Sequence, residues 1–268
     1  SESFRNDPDY KQKLVDEMND TSPETIQAVQ DYLQDVKKNA YSFETDSGKA
    51  DMITGKVLAN YQWSGDAVYT MDQAEEDGVF LDYAVPEEST NIYFDGWVML
   101  KNGVGEDKDK QQAAEAFINF NSRPDNAIRN MYYIGYTSVI SGGDDPRVFE
   151  YADWNYSAED EEEDTVDDDL ADFFTEDTDS EDYIITAPAE QVKRQLYAQY
   201  PDADAMDRSS IMIYFDEKQN QDINQMWVSV RCFNIHDVPV WIWTITIILA
   251  IVILVCAARK VMKKHTRN

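Results

Sequence analysis

KVLANYQWSGDAVYTMDQAEEDGVFLDYAV, residues 56–85, decides the fold class. Residues 56–63 have the apolar and β-favouring content of a strand. SGDAVYTMDQAEED then turns into a helix, and GVFLDYAV, residues 78–85, returns as a second strand. Strands alternating with helices over so short a distance predict an α/β class. Trp63-Ser64-Gly65-Asp66 falls at the strand-to-helix turn, where open α/β sheets present ligand-facing groups. Asp66 also suits a purely local role, capping the helix that begins there.

The next segment, NIYFDGWVML, residues 91–100, is apolar and aromatic with an acid in its middle. In a strand, alternate side chains share a face, so Tyr93, Asp95 and Trp97 point one way. An acid between two rings makes a cation cradle; the plainer reading is a core strand carrying one hydrogen-bonded acid.

Upstream, residues 8–38 read as two helices. Ser22 caps the second, Pro23 takes its first position, and Leu14, Met18, Ile26, Val29, Leu33 and Val36 form apolar stripes expected to pack on a sheet. Downstream, residues 107–136 read as a helix, a break at Arg123–Pro124 and a second helix ending near Gly135. Ala113, Phe117 and Ile118 mark the first helix's buried face. Ile134-Gly135-Tyr136-Thr137 then stands at a helix exit. Residues 157–182, SAEDEEEDTVDDDLADFFTEDTDSED, are acidic and of low complexity, which predicts a solvated excursion. Clustered carboxylates attract calcium, but the spacing and central glycine of an EF-hand loop are absent, so no metal site is assigned. Helical character returns over residues 188–231.

Acids outnumber bases 53 to 23 in the 268 residues, a formal charge of −30. That balance opposes binding to nucleic-acid phosphates and favours cationic partners, or simply serves solubility. Residues 240–258, VWIWTITIILAIVILVCAA, carry no charge; as a helix these 19 residues span about 28 Å, close to a bilayer's hydrocarbon core. Trp241 and Trp243 stand at the entry, and Arg259, Lys260, Lys263, Lys264 and Arg267 follow the exit. The reading is a transmembrane helix over residues 238–258 with a basic cytoplasmic tail, 259–268, and an ectodomain outside the membrane. Removing the tail's five positive charges from −30 leaves −35 on the rest. Of two cysteines, Cys232 and Cys256, the second lies in the apolar run, so no intradomain disulfide is expected. No initiator Met or export signal is visible, so Ser1 is read as not the natural start.

Catalysis has little to use. Outside the basic tail the one histidine is His236, which leaves no His-pair metal site and no Ser-His-Asp arrangement, and GVGEDK lacks the spacing of a phosphate-cradling loop. No catalytic residue, cofactor or metal is assigned. What remains is three short constellations holding Trp63, Asp66, Tyr93, Asp95 and Tyr136: aromatic walls and two separated carboxylates. Such a set suits an alkyl diamine or triamine, with methylenes on the rings and an ammonium at each acid.

At these residues the chain resembles the spermidine/putrescine-binding proteins of bacterial ABC importers. The similarity runs from about Ser1 to Ser141 and is densest over WSGDAVYTMDQAEEDGVFLDYAVPEESTNIYFDGWVMLKNG and FINFNSRPDNAIRNMYYIGYTS. The resemblance implies a type II periplasmic-binding-protein-like fold, a two-lobed α/β clamp that closes on its ligand and delivers it to a permease driven by a cytoplasmic ATPase. It makes Trp63 and Tyr93 aromatic walls, Asp66 and Asp95 the ammonium-binding acids, and Tyr136 a further wall or hydroxyl contact. The opening SESFRN is similar to a second-lobe segment in which an acid commonly serves the site, whereas Ser3 and Asn6 stand here.

On this likeness residues 1–88 are second-lobe and residues 89–237 return into a first lobe, with an acidic insertion at about 157–182. The fold is then incomplete at its N-terminus and ends in a membrane anchor, so the receptor is tethered beside its permease, where effective concentration favours encounter. A receptor for another organic cation and an acidic, membrane-anchored adhesion ectodomain are the alternatives.

Overall fold

The computed structural model describes residues 2–159, 164–232 and, further on, 241–245, 247–249, 251 and 253. Its helices in chain order are α1 (Glu2–Arg5), α2 (Tyr10–Met18), α3 (Pro23–Val36), α4 (Gly48–Ile53), α5 (Ser64–Glu76), α6 (Lys101–Val104), α7 (Lys108–Asn121), α8 (Pro124–Ile134), α9 (Arg147–Tyr156), α10 (Ala171–Phe174), α11 (Gln195–Gln199), α12 (Ala203–Asp207) and α13 (Glu217–Arg231). Among the described residues, strands β1 (Thr90–Ile92) and β4 (Ser209–Ile211) form one parallel pair. Strands β2 (Thr165–Asp169) and β3 (Ile184–Pro188) form one antiparallel pair. The class is α/β, with helices dominant and the sheets small.

The chain divides into two units, Ser1–Asn19 with Glu44–Ile213, and Asp20–Phe43 with Tyr214–Asn268. In the first unit the main core gathers Met131, Val148, Tyr156, Ile185 and Leu196 from α8, α9, β3 and α11, with Leu170 from the junction of β2 and α10. Ile185 and Leu196 are wholly buried, each worth roughly 1.5–3 kcal/mol. A smaller cluster, Ala67, Val68, Met71 and Ala198, joins the inner face of α5 to α11.

In the second unit α3 packs on α13, so the apolar stripe of α3 meets a helix and not the expected sheet. Ser22 Oγ accepts from the Thr25 amide and Pro23 opens α3, as its sequence predicts. Asp216 and Gln219 form a reciprocal capping box on α13. Lys37 Nζ donates to the Val230 carbonyl at 2.6 Å, and Phe43 meets the Trp227 ring edge-on at 5.9 Å.

Three expectations fail in the first unit. Residues 56–63 and 78–85 are not strands, and of residues 91–100 only the first two belong to β1. The reason lies in who satisfies the backbone. Carbonyls of the segment after α5 are taken by guanidinium groups: Leu81 by Arg194 at 2.7 Å, Pro86 by Arg208 at 2.9 Å and Glu87 by Arg5 at 2.7 Å. Side chains thus replace ladder partners and hold the segment extended without a sheet. Asn19 does the same at β4, donating to the Ile211 carbonyl and accepting from the Ile213 amide, both at 3.0 Å.

The buried face assigned to α7 is also absent, since Ala113 is exposed, Phe117 is 53 % exposed and Ile118 is only partly covered. The acidic stretch is not a plain solvated excursion either. It contributes β2, with Asp168 opposite the buried Ile185, and the buried Leu170 and Phe174. Residues 160–163 lie outside the described residues, as do Val240, Thr246, Ala250, Val252 and 254–268 of the C-terminal run and tail. Among the described residues no helix is long and apolar enough to cross a membrane.

Candidate functional site

The start of α5 is where the predicted residues meet. Trp63 is its extended N-cap residue, and Gly65 and Asp66 lie in its first turn. Tyr93 comes from the segment just past β1, and Tyr136 from the turn leaving α8. Trp63 and Tyr93 meet edge-to-face with ring centroids 4.6 Å apart, and Tyr93 and Tyr136 at 6.3 Å. Four of the five predicted residues therefore form one contiguous cluster, and edge-to-face rings leave π-faces free for a cation.

Two glycines make the approach possible. A Cβ at Gly65 would lie 2.2 Å from Cδ2 of the Tyr136 ring, so that ring rests directly on the α5 backbone. Gly135 ends α8 at φ +76°, a conformation side chains resist, and a Cβ there would meet the Gly65 carbonyl at 2.7 Å. Gln199 fixes the turn: its side-chain amide donates to the Gly135 carbonyl at 2.9 Å, and its backbone carbonyl accepts from Thr137 Oγ1 at 2.9 Å.

The electrostatics follow from this packing. Burial pushes the Tyr136 phenol up. The negative charge of Asp66, the neighbouring Tyr93, a hydrogen bond to Asp66 and the charge of Asp95 add to the shift. Burial also raises Tyr93, with Asp95 and Asp66 contributing, while bonds from Ser64 and the Gly65 amide act the other way. Both phenols stay protonated through neutral pH and serve as donors or π-faces.

The two acids differ in setting. Asp66 is largely covered and already paired, with Lys49 Nζ of α4 2.9 Å from its Oδ1. Asp95 is exposed, and among the described residues no cation pairs with it. Trp97 does not join the cluster but meets Phe117 edge-on at 5.1 Å. Of the two opening residues, Asn6 is exposed, and the side chain of Ser3 lies outside the description.

Sequence reading missed Lys49 and Gln199, and gave Ser64 no role of its own within the Trp63–Asp66 turn. Ser64 Oγ stands 3.3 Å from the Tyr93 hydroxyl, and its place beside Trp63 was a usable signal. Lys49 and Gln199 lie far along the chain, and no spacing rule points to either. Among the described residues no group of three or more His, Cys, Asp or Glu side chains could hold a metal ion.

Residues 9–155 match the sequence profile of the bacterial extracellular solute-binding proteins, a region that covers more than half of the chain and includes every residue of the cluster. The chain belongs to that family. No curated protein and no solved structure matches it. A solute-binding protein takes up its ligand and releases it unchanged, so the chain is not an enzyme; it binds solute for an ABC transporter and works with that transporter's permease.

Proposed function

We propose that this solute-binding protein takes an alkyl diamine or triamine of the putrescine and spermidine class, held by Trp63, Asp66, Tyr93, Asp95 and Tyr136. The observation that carries the reading is that the rings of Trp63, Tyr93 and Tyr136 stand against one another at the first turn of α5, which bears Asp66, with the charge of Asp95 near enough to act on both phenols. Two carboxylates at one aromatic cluster answer to two ammonium groups joined by methylenes. A charge-assisted bond contributes about 1.5–3 kcal/mol and a cation–π contact about 0.5–2 kcal/mol. Two of each sum to about 4–10 kcal/mol before the cost of ordering the ligand is subtracted, a gross gain of the same order as the roughly −8 kcal/mol of micromolar binding.

The same proposal makes the fold that of a two-lobed clamp and the C-terminal run a membrane tether, the latter supported by 19 uncharged residues followed by five bases.

Calorimetric titration of putrescine and spermidine into the full chain, with Asp95→Asn beside the parent, tests the ligand class. Saturable binding that weakens at least about tenfold in the variant, or roughly 1.4 kcal/mol, is the expected result. A folded parent that gives no heat with any polyamine refutes the reading and turns attention to other organic cations or to adhesion.

A further inference from the structure

Lys49 already occupies one of the places that the polyamine reading gives to a ligand ammonium. Its Nζ lies 2.9 Å from Asp66 Oδ1, with the lysine side chain 30 % and the aspartate 15 % exposed. The pairing is built and not incidental to a loose surface. Lys49 sits on α4, which packs on α5, and Gly48 lets that helix close on Asn60, whose Nδ2 a Cβ would meet at 2.6 Å. Asn60 in turn donates to Gln62 at 2.7 Å, and Gln62 to Thr70 of α5 at 3.4 Å, so the side chain that lies on Gly48 is itself tied to the helix that carries Asp66.

We infer that Lys49 is an intramolecular competitor for the ligand's ammonium at Asp66, and so a residue that sets affinity and the preference for dications. The inference rests on the polyamine reading and deepens it. A primary ammonium from the ligand and the lysine ammonium are the same chemical group, so exchanging one for the other at Asp66 gains little. The carboxylate is desolvated and neutralised before the ligand arrives. Binding at this end therefore displaces Lys49 into solvent, whereas the ammonium at Asp95 meets no resident cation. Release is assisted for the same reason, because Lys49 returns to Asp66 as the ligand leaves.

Putrescine titrated calorimetrically into the full chain, its Lys49→Met variant, Asp66→Asn and the double variant tests this. Methionine keeps an unbranched apolar stem and removes the ammonium. The expected result is putrescine binding at least about tenfold tighter in Lys49→Met than in the parent, roughly 1.4 kcal/mol, with the gain lost in the Asp66→Asn background. Lys49→Gln also removes the ammonium, is expected to bind putrescine at least about tenfold tighter than the parent, and carries the test if Lys49→Met does not fold; Lys49→Arg keeps the competitor and binds putrescine no better than the parent.

Equal affinity in the parent and Lys49→Met overturns the inference and leaves Lys49 a structural ion pair. Weaker binding in Lys49→Met also overturns it and makes Lys49 a positioning residue. No binding in any folded form overturns the polyamine reading itself, a result distinct from both.

Discussion

Gly65→Ala sets helix propensity against tertiary packing, and the structure says which wins. Alanine in place of glycine within a helix is ordinarily favourable by about 0.5–1 kcal/mol. At Gly65 the added Cβ would fall 2.2 Å from Tyr136 Cδ2 and 2.3 Å from its Cγ, the base of the ring and not a mobile tip. The ring must retreat by more than 1 Å to restore ordinary contact, yet the Gly135 turn behind it is clamped by Gln199. Overpacking of this kind costs about 1–3 kcal/mol, so after the propensity gain the net destabilisation is up to about 2.5 kcal/mol. Displacement of the ring also removes its bond to Asp66. Urea unfolding followed by far-ultraviolet circular dichroism measures the loss, and the double variant with Tyr136→Ala is the control, since without the ring only the propensity gain remains. A single Gly65→Ala variant more stable than the parent would refute the reasoning, because the ring would then not rest on the α5 backbone.

Two further outcomes are expected. Asp168 is pushed above the usual carboxylate range, first by burial and then by Asp169 and Asp202. An acid whose folded pKa is raised costs nothing below its unfolded value of about 3.9. Its cost grows as the pH climbs towards the folded value and is complete above it. Asp168→Asn should therefore raise the urea midpoint at pH 7 and leave it unchanged at pH 3; equal shifts at both would show that charge is not the cause. For the proposed tether, the full chain should stay with the membrane pellet after alkaline carbonate extraction while a chain ending at Asp237 is released, and a full chain that washes off would remove the anchor from the proposal.

The helices were the legible part of the fold because their signals are local. Ser22–Pro23, Arg123–Pro124 and Gly135 mark starts and stops by backbone chemistry that needs no knowledge of neighbours, and the structure places helix ends at each. The strands were not legible. Residues 56–63 and 78–85 have strand composition, but a strand exists only if another backbone pairs with it; after α5 it is Arg194 that takes the Leu81 carbonyl, and Arg208 and Arg5 those of Pro86 and Glu87 just beyond. Phe117 shows the same limit for faces: its spacing marks one side of α7, but the side chain meets Trp97 edge-on and stays half exposed.

For the site, the sequence showed which side chains suit a cation but not what already balances them. Asp66, Asp95 and Lys49 together carry one net negative charge, although the two acids alone suggest two. A dication meeting a site of charge −1 gains less than one meeting −2, so removing Lys49 and removing Asp95 move the cluster in opposite directions. The expected order of putrescine affinity is Lys49→Met, then parent, then Asp95→Asn. Removing Lys49 and Asp66 together restores −1 but with a single carboxylate, Asp95, left to hold an ammonium. Comparison of that double variant with the parent separates the effect of net charge from that of two distinct seats: equal affinity points to charge alone, and weaker binding by the double variant points to two seats. The second outcome is the one the proposed binding mode predicts, because in it Trp63, Tyr93 and Tyr136 would give the methylene chain a surface between the seats, and that surface would help only a ligand engaged at both ends.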